Sequence, residues 1–188
     1  MQLMRELDVK RTLIITHRPV VGESWLKTFK QVVGSKSSEP KVKGNSDIHK
    51  TYGFGMRSDD ESETVGNYYD LESFVETPGN HYAFFVSMQY IRLSELVNSK
   101  TQAKNASKEL GNGNSTSKEN EMLKADILKT DWDLIIIDEA HEGTLTSLGK
   151  GVIQDFLKKE KTKMLYLSGT PFNLYEDFKE DEIYTWDY

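Results

Sequence analysis

The chain has 188 residues, no cysteine and a formal net charge of −6. That length suits one domain with some decoration, the lack of cysteine excludes a disulfide scaffold and Cys-based zinc sites, and a reducing cytoplasm is the expected location. The negative balance excludes a generally basic nucleic-acid coat and leaves room only for a local basic groove.

Apolar residues make up 37% of the chain and the mean hydropathy is −0.60, so part of the sequence is expected to lie outside the core. No apolar run approaches membrane-spanning length, so no membrane partner is expected. Residues 1–9 read as the end of a helix, with Leu3, Met4 and Leu7 on one face. Arg11-Thr12-Leu13-Ile14-Ile15 follows as a buried strand and ends in Thr16-His17-Arg18-Pro19, where Pro19 takes the chain out of regular pairing. Trp25, Phe29 and Val33, spaced four apart, predict a helix over residues 23–33. Residues 34–81 read as a polar insertion that decorates the core. Gly34 to Asn45 is rich in Gly, Ser and Lys, and residues 57–76 set Asp59, Asp60, Glu61, Glu63, Asp70, Glu72 and Glu76 against a single Arg57. The aromatics Tyr52, Phe54, Tyr68, Tyr69 and Phe74 imply that some of it packs down.

His81 to Val86 is the next strand, followed by Ser87-Met88-Gln89 and a helix to about residue 97. Residues 98–118 hold Asn, Ser, Lys, Thr and Gly with almost no large apolar residue, and read as a flexible linker. Helical spacing returns over 119–129 through Met122, Leu123, Ile127 and Leu128. Leu134-Ile135-Ile136-Ile137 is an unbroken apolar run, the pattern of a strand covered on both faces. It stops at two carboxylates, Asp138 and Glu139, then Ala140 and His141. Ligands of open α/β sheets sit at the carboxyl ends of strands. Two acids there suit a Mg²⁺ held through Asp138, with Glu139 positioning or activating a water for attack on a phosphate. A buried strand ending in a solvated acidic turn would read the same way from these residues alone. A helix over about 146–159 then crosses to a strand at Met164-Leu165-Tyr166-Leu167, a right-handed βαβ unit by default. That strand ends in Ser168-Gly169-Thr170-Pro171, and an acidic, aromatic tail runs from Glu176 to Tyr188.

Asp138-Glu139-Ala140-His141 resembles motif II, the Walker B element, of superfamily 2 helicases and translocases of the DEAH type. Ser168-Gly169-Thr170 resembles the same family's motif III, and the strand, turn and helix around Thr16-His17-Arg18 resemble its motif Ia. Ser87 and Gln89 resemble a Ser-x-Gln element of restriction-type motors, although Ser and Gln at a helix start are often only caps. Tyr184-Thr185-Trp186-Asp187-Tyr188 is similar to a segment that follows motif III in bacterial helicase-like restriction proteins. The resemblance implies an α/β, RecA-like three-layer domain with a mostly parallel sheet. It also implies an ATP-dependent DNA helicase or translocase, and Mg²⁺ and ATP as cofactors of the parent protein. His141 and Ser168 to Thr170 would couple nucleotide to DNA, and Thr16, His17, Arg18, Ser87 and Gln89 would contact nucleic acid. Implied partners are DNA, a second RecA-like domain, and nuclease or methyltransferase subunits.

That family also needs a glycine-rich phosphate loop ending in Lys and Ser or Thr. Gly34-Ser35-Lys36-Ser37 has the wrong order and follows a helix, and Gly149-Lys150-Gly151 lacks the hydroxyl residue. The resemblance therefore covers a motor domain from motif Ia to just past motif III. The expectation is a partial domain over residues 1–188, missing its first strand and phosphate loop, that binds neither ATP nor Mg²⁺ tightly by itself. A non-catalytic nucleic-acid-binding or interaction fragment with the motor fold is the alternative from another class. His141-Glu142 does not extend to a zinc-protease motif, because residue 145 is Leu145. In RecA-like motors the phosphate-loop strand lies beside the motif III strand. Met164 to Leu167 is therefore expected to present an open edge, covered by self-association or by the tail around Ile183 to Trp186.

Overall fold

The apolar runs fold as strands of one five-stranded sheet. The structure, a computed structural model, describes residues 2–18, 20–33, 51–56, 67–91, 115–140, 151, 153, 154, 156, 159, 161–170, 172 and 174–185. Its elements are α1 (Gln2–Glu6), β1 (Arg11–Thr16), α2 (Val21–Val33), β2 (Tyr52–Met56), α3 (Tyr68–Val75), β3 (His81–Ser87), α4 (Ser115–Lys129), β4 (Leu134–Asp138) and β5 (Lys163–Tyr166). Two 3-10 turns follow, Tyr175–Asp177 and Glu180–Glu182. The strand order is β2-β3-β1-β4-β5, and every pair is parallel. This is the α/β, RecA-like layering that the resemblance implies.

Alternation along the strands sorts the core into two faces. Leu13, Ile15, Tyr82, Phe84, Val86, Ile135 and Ile137 pack with Tyr68, Leu71 and Val75 of α3, Ile127 of α4, and Trp132, Ile153 and Phe156. On the other face Ile14, Phe54, Ala83 and Phe85 meet Leu26, Trp25 and Phe29 of α2, while Met4 and Val9 cover Leu134, Ile136 and Leu165. Helices therefore lie on both faces. Leu13, Ile15 and Ile135 are 0% exposed, and burial of each such side chain contributes about 1.5–3 kcal/mol.

The ends of the strands opposite the candidate site are tied by polar groups. Asp133 Oδ2 accepts from the backbone N–H groups of Lys10 and Arg11, both at 2.9 Å. Arg11 Nε donates to Glu72 at 3.1 Å, and Tyr82 Oη donates to the same carboxylate. The Trp132 indole donates to the Ile127 carbonyl at 2.8 Å, which satisfies a buried N–H.

The structure departs from the pattern reading in three places. Within residues 34–81, Tyr52–Met56 is a strand of the sheet and Tyr68–Val75 is a helix capped by Asn67, whose Oδ1 accepts from Asp70 N at 2.9 Å. Gly53 and Gly55 hide β2 from a reading based on β-branched residues. At Gly53 a Cβ would stand 2.7 Å from Leu71 Cδ2, so the glycine is what lets α3 lie against the strand. Second, α4 begins at Ser115, inside the stretch read as linker, whose residues 98–114 lie outside the described residues. Asn, Ser and Thr lower an apolar average, but they also start helices. Third, described tail residues 183–185 form no strand along β5. The tail instead lies on a face of the sheet, with Leu174 buried and the Phe178 ring 5.0 Å from that of Tyr166.

Candidate functional site

Sheet register brings together residues far apart in sequence. Thr16, the last residue of β1, stands opposite Ser87 of β3 on one side and Asp138 of β4 on the other. With strands spaced about 4.8 Å apart, the Ser87, Thr16 and Asp138 backbones form one rung about 10 Å wide at the carboxyl ends of the strands. The adjoining corner is closed by β5. Leu167 N donates to Ile137 O at 2.8 Å, and Ala140 N donates to Leu167 O at 2.9 Å. The Asp138-Glu139-Ala140 turn and the start of Ser168-Gly169-Thr170 are thus joined backbone to backbone.

Asp138 is half-buried. Its parity places it with Leu134 and Ile136, on the α1 and α2 face. The Trp25 indole of α2 donates to Asp138 Oδ2 at 2.9 Å, and Glu139 N donates to Oδ1 at 3.1 Å. Each carboxylate oxygen keeps one lone pair beyond these bonds. Glu139, also half-buried, has φ +52°, in the left-handed region.

The turn after β1 is organised by its own hydroxyl. Thr16 is 1% exposed, and its Oγ1 accepts from Arg18 N at 3.3 Å. Arg18 O accepts from Val21 N at 3.2 Å, so the turn runs directly into α2. Thr16 therefore shapes the turn from inside, and Arg18 is its exposed cation. His17 is half-buried, and its Nδ1 is buried with no hydrogen-bond partner among the described residues. Ser87 Oγ accepts from Tyr90 N at 3.2 Å, which is the capping role, while Gln89 is exposed. In the turn after β5 Ser168 Oγ accepts from Thr170 N at 3.2 Å, and a Cβ at Gly169 would meet nothing within 4 Å. His141 lies outside the described residues.

In the sequence Trp25 is only a spacing marker for a helix, and its bond to Asp138 appears only in the fold. The signal available was its chemistry, since an indole N–H that is drawn inward requires an acceptor. The donor set fits a hydrated divalent cation of the Mg²⁺ type. The available ligand is a hard carboxylate, and among the described residues no group of three or more acids, histidines or cysteines forms a closed protein cage. Mg²⁺ is commonly held by one or two carboxylates, with the remainder of its shell from water and phosphate.

The sequence model of one protein family, described as type III restriction enzyme, res subunit, matches residues 1–173. No curated protein matches the chain.

Proposed function

The chain belongs to the family of type III restriction enzyme res subunits and is a restriction-type, helicase-like motor domain; we propose that it serves an ATP-dependent DNA helicase or translocase. One observation carries the reading: Asp138 and Glu139 close a central parallel strand and are backbone-linked through Ala140 to the Ser168–Thr170 turn. A carboxylate site joined to a second turn in this way suits a motor, in which the state of a phosphate must reach another surface.

In this reading Asp138 holds Mg²⁺, which supplies charge compensation to phosphate oxygens when bound. Glu139 orients a water and accepts its proton. His141 and the Ser168-Gly169-Thr170 turn respond to the nucleotide. Arg18, at the turn shaped by Thr16 and His17, forks onto a DNA phosphate, with Gln89 and the Ser87 cap bordering the same end of the sheet. Lys27 and Lys30 are exposed on α2 and extend the basic surface. A second RecA-like domain and nuclease or methyltransferase subunits are the partners this role requires. Because the 188 residues contain no glycine-rich phosphate loop, the chain by itself is expected to hydrolyse no ATP.

The reading is tested on the full chain by fluorescence anisotropy with a labelled duplex, together with calorimetry with Mg-ATP. The expected result is weak DNA binding that falls with salt and drops at least threefold in Arg18→Ala, as befits a few phosphate contacts. ATP affinity should be no tighter than about 1 mM, near −4 kcal/mol. Unchanged DNA affinity in Arg18→Ala at low salt would remove the turn from the interface. Micromolar ATP binding that is lost in an Asp138→Asn, Glu139→Gln double variant would overturn the inactivity of the isolated chain.

A further inference from the structure

Trp25 connects the carboxylate that ends β4 with the helix that follows the Thr16–Arg18 turn. On α2, Gly22, Trp25, Leu26 and Phe29 follow the helical spacing that faces a sheet. A Cβ at Gly22 would stand 2.7 Å from Phe85 Cε1, so the first turn of the helix rests directly on a ring of β3. One turn later the Trp25 indole reaches Asp138 Oδ2 at 2.9 Å, across 113 residues of sequence. Behind it, the Thr16–Arg18 and Arg18–Val21 hydrogen bonds tie the turn to the start of the same helix. The carboxylate is therefore held at Oδ1 by its own chain and at Oδ2 by the helix that follows the turn.

We propose that Trp25 is a positioning residue of the metal site: its indole N–H orients Asp138 for Mg²⁺ and transmits displacement of the Thr16–Arg18 turn to that carboxylate. The proposal rests on Asp138 being the Mg²⁺ ligand. One lone pair on each oxygen remains for the cation, so the indole orients the ligand without blocking it. An N–H···O bond of 2.9 Å loses most of its strength beyond about 3.5 Å, so a shift of α2 of well under 1 Å frees the carboxylate. Coupling of this kind is reciprocal. DNA bound at the turn changes metal affinity, and metal changes DNA affinity by the same factor.

The test uses Mn²⁺ as the probe, with its binding to the full chain followed by electron paramagnetic resonance with and without a short DNA duplex. Trp25→Phe and Asp138→Asn are compared with the wild type. Two further chains carry benzothienylalanine or 7-azatryptophan at position 25. Benzothienylalanine keeps the bicyclic shape and has no N–H, and 7-azatryptophan keeps the N–H. The expected result is loss of Mn²⁺ binding in Asp138→Asn and roughly tenfold weaker binding in Trp25→Phe and the benzothienyl chain. The 7-azatryptophan chain should bind as the wild type does. The benzothienyl chain should keep the wild-type Tm, and the duplex should shift Mn²⁺ affinity only where the N–H is present. Wild-type Mn²⁺ affinity in the benzothienyl chain, with binding still lost in Asp138→Asn, would overturn the role of Trp25 and leave the metal reading intact. Mn²⁺ binding unchanged in Asp138→Asn would overturn both.

Discussion

Glu139 carries its proposed chemistry on a left-handed backbone, and Asp8 shares that conformation at φ +50° just beyond α1. A side-chain-bearing residue in this region costs about 1–2 kcal/mol, because its Cβ crowds the following carbonyl. At Asp8 the conformation ends a helix, and Val9 N donates back to Met4 O at 2.9 Å. At Glu139 it lets the chain leave β4 and hand the Ala140 N–H to Leu167. A pair of variants isolates the strain from side-chain contacts. Glu139→Gly is expected to be more stable to urea than Glu139→Ala by about 1 kcal/mol, since both lose the carboxylate and only alanine keeps a Cβ. Equal stabilities would show that the turn carries no backbone strain. If Glu139 handles the water as proposed, either substitution should also remove activity from an assembled motor.

Elements are fixed here by what covers them. The carboxyl end of α4 is closed by Lys159, whose Nζ donates to the carbonyls of Leu128, Lys129 and Thr130 at 3.3, 2.9 and 2.6 Å, a cation at the negative end of a helix. β5 is different. It pairs with β4 and, among the described residues, is the end of the sheet. Lys163 and Leu167 donate toward β4, so parallel pairing turns the Met164 and Tyr166 backbone groups outward. The strand has no proline, and only Lys163 flanks it with charge. Such an edge is a template for another strand. We therefore expect the chain to self-associate through it. In amide exchange, Met164 and Tyr166 should gain protection as concentration rises from about 10 to several hundred micromolar, the regime of weak association. Leu165 should stay protected throughout. Fast exchange at both outward amides in a sample that remains monomeric would reject the association, and a Leu165→Lys variant should abolish it if it occurs.

Across the whole molecule, burial couples stability to alkaline pH. Burial holds the Tyr82 hydroxyl far above its ordinary range, with its hydrogen bond to Glu72 adding to the effect. Burial likewise raises Tyr68 and Tyr166. The folded chain then keeps these protons to higher pH than the unfolded chain. Their stabilising contribution is complete below the unfolded value near 10 and is lost as pH rises through the folded values. Urea midpoints should therefore be insensitive to these tyrosines up to about pH 9 and fall above about pH 10. Tyr82→Phe should flatten the alkaline decline by up to about 1.4 kcal/mol per pH unit while it titrates alone. An identical alkaline slope in the variant would show that Tyr82 does not carry the linkage. No described helix is long and apolar enough to cross a membrane.

Much of this protein is written locally. The β-branched runs at Leu13–Ile15 and Leu134–Ile137 specify buried strands, and the polar residues at their ends mark where those strands stop. The strand-end positions of Asp138-Glu139 and Ser168-Gly169-Thr170 are legible because each follows an apolar run, β-branched in β4 and Met164-Leu165-Tyr166-Leu167 at β5. The glycine-bearing β2 and the polar start of α4 are not, because their local composition resembles a loop; β2 is made regular by its pairing with β3 and by α3 packed on it. The single rung of Ser87, Thr16 and Asp138 needed the strand order, and many orders accommodate the same apolar runs. The Trp25–Asp138 bond needed that order together with the seating of α2 on Phe85. Local pattern sets which residues are buried and where a strand stops, whereas contacts between distant segments exist only after the sheet has chosen its neighbours.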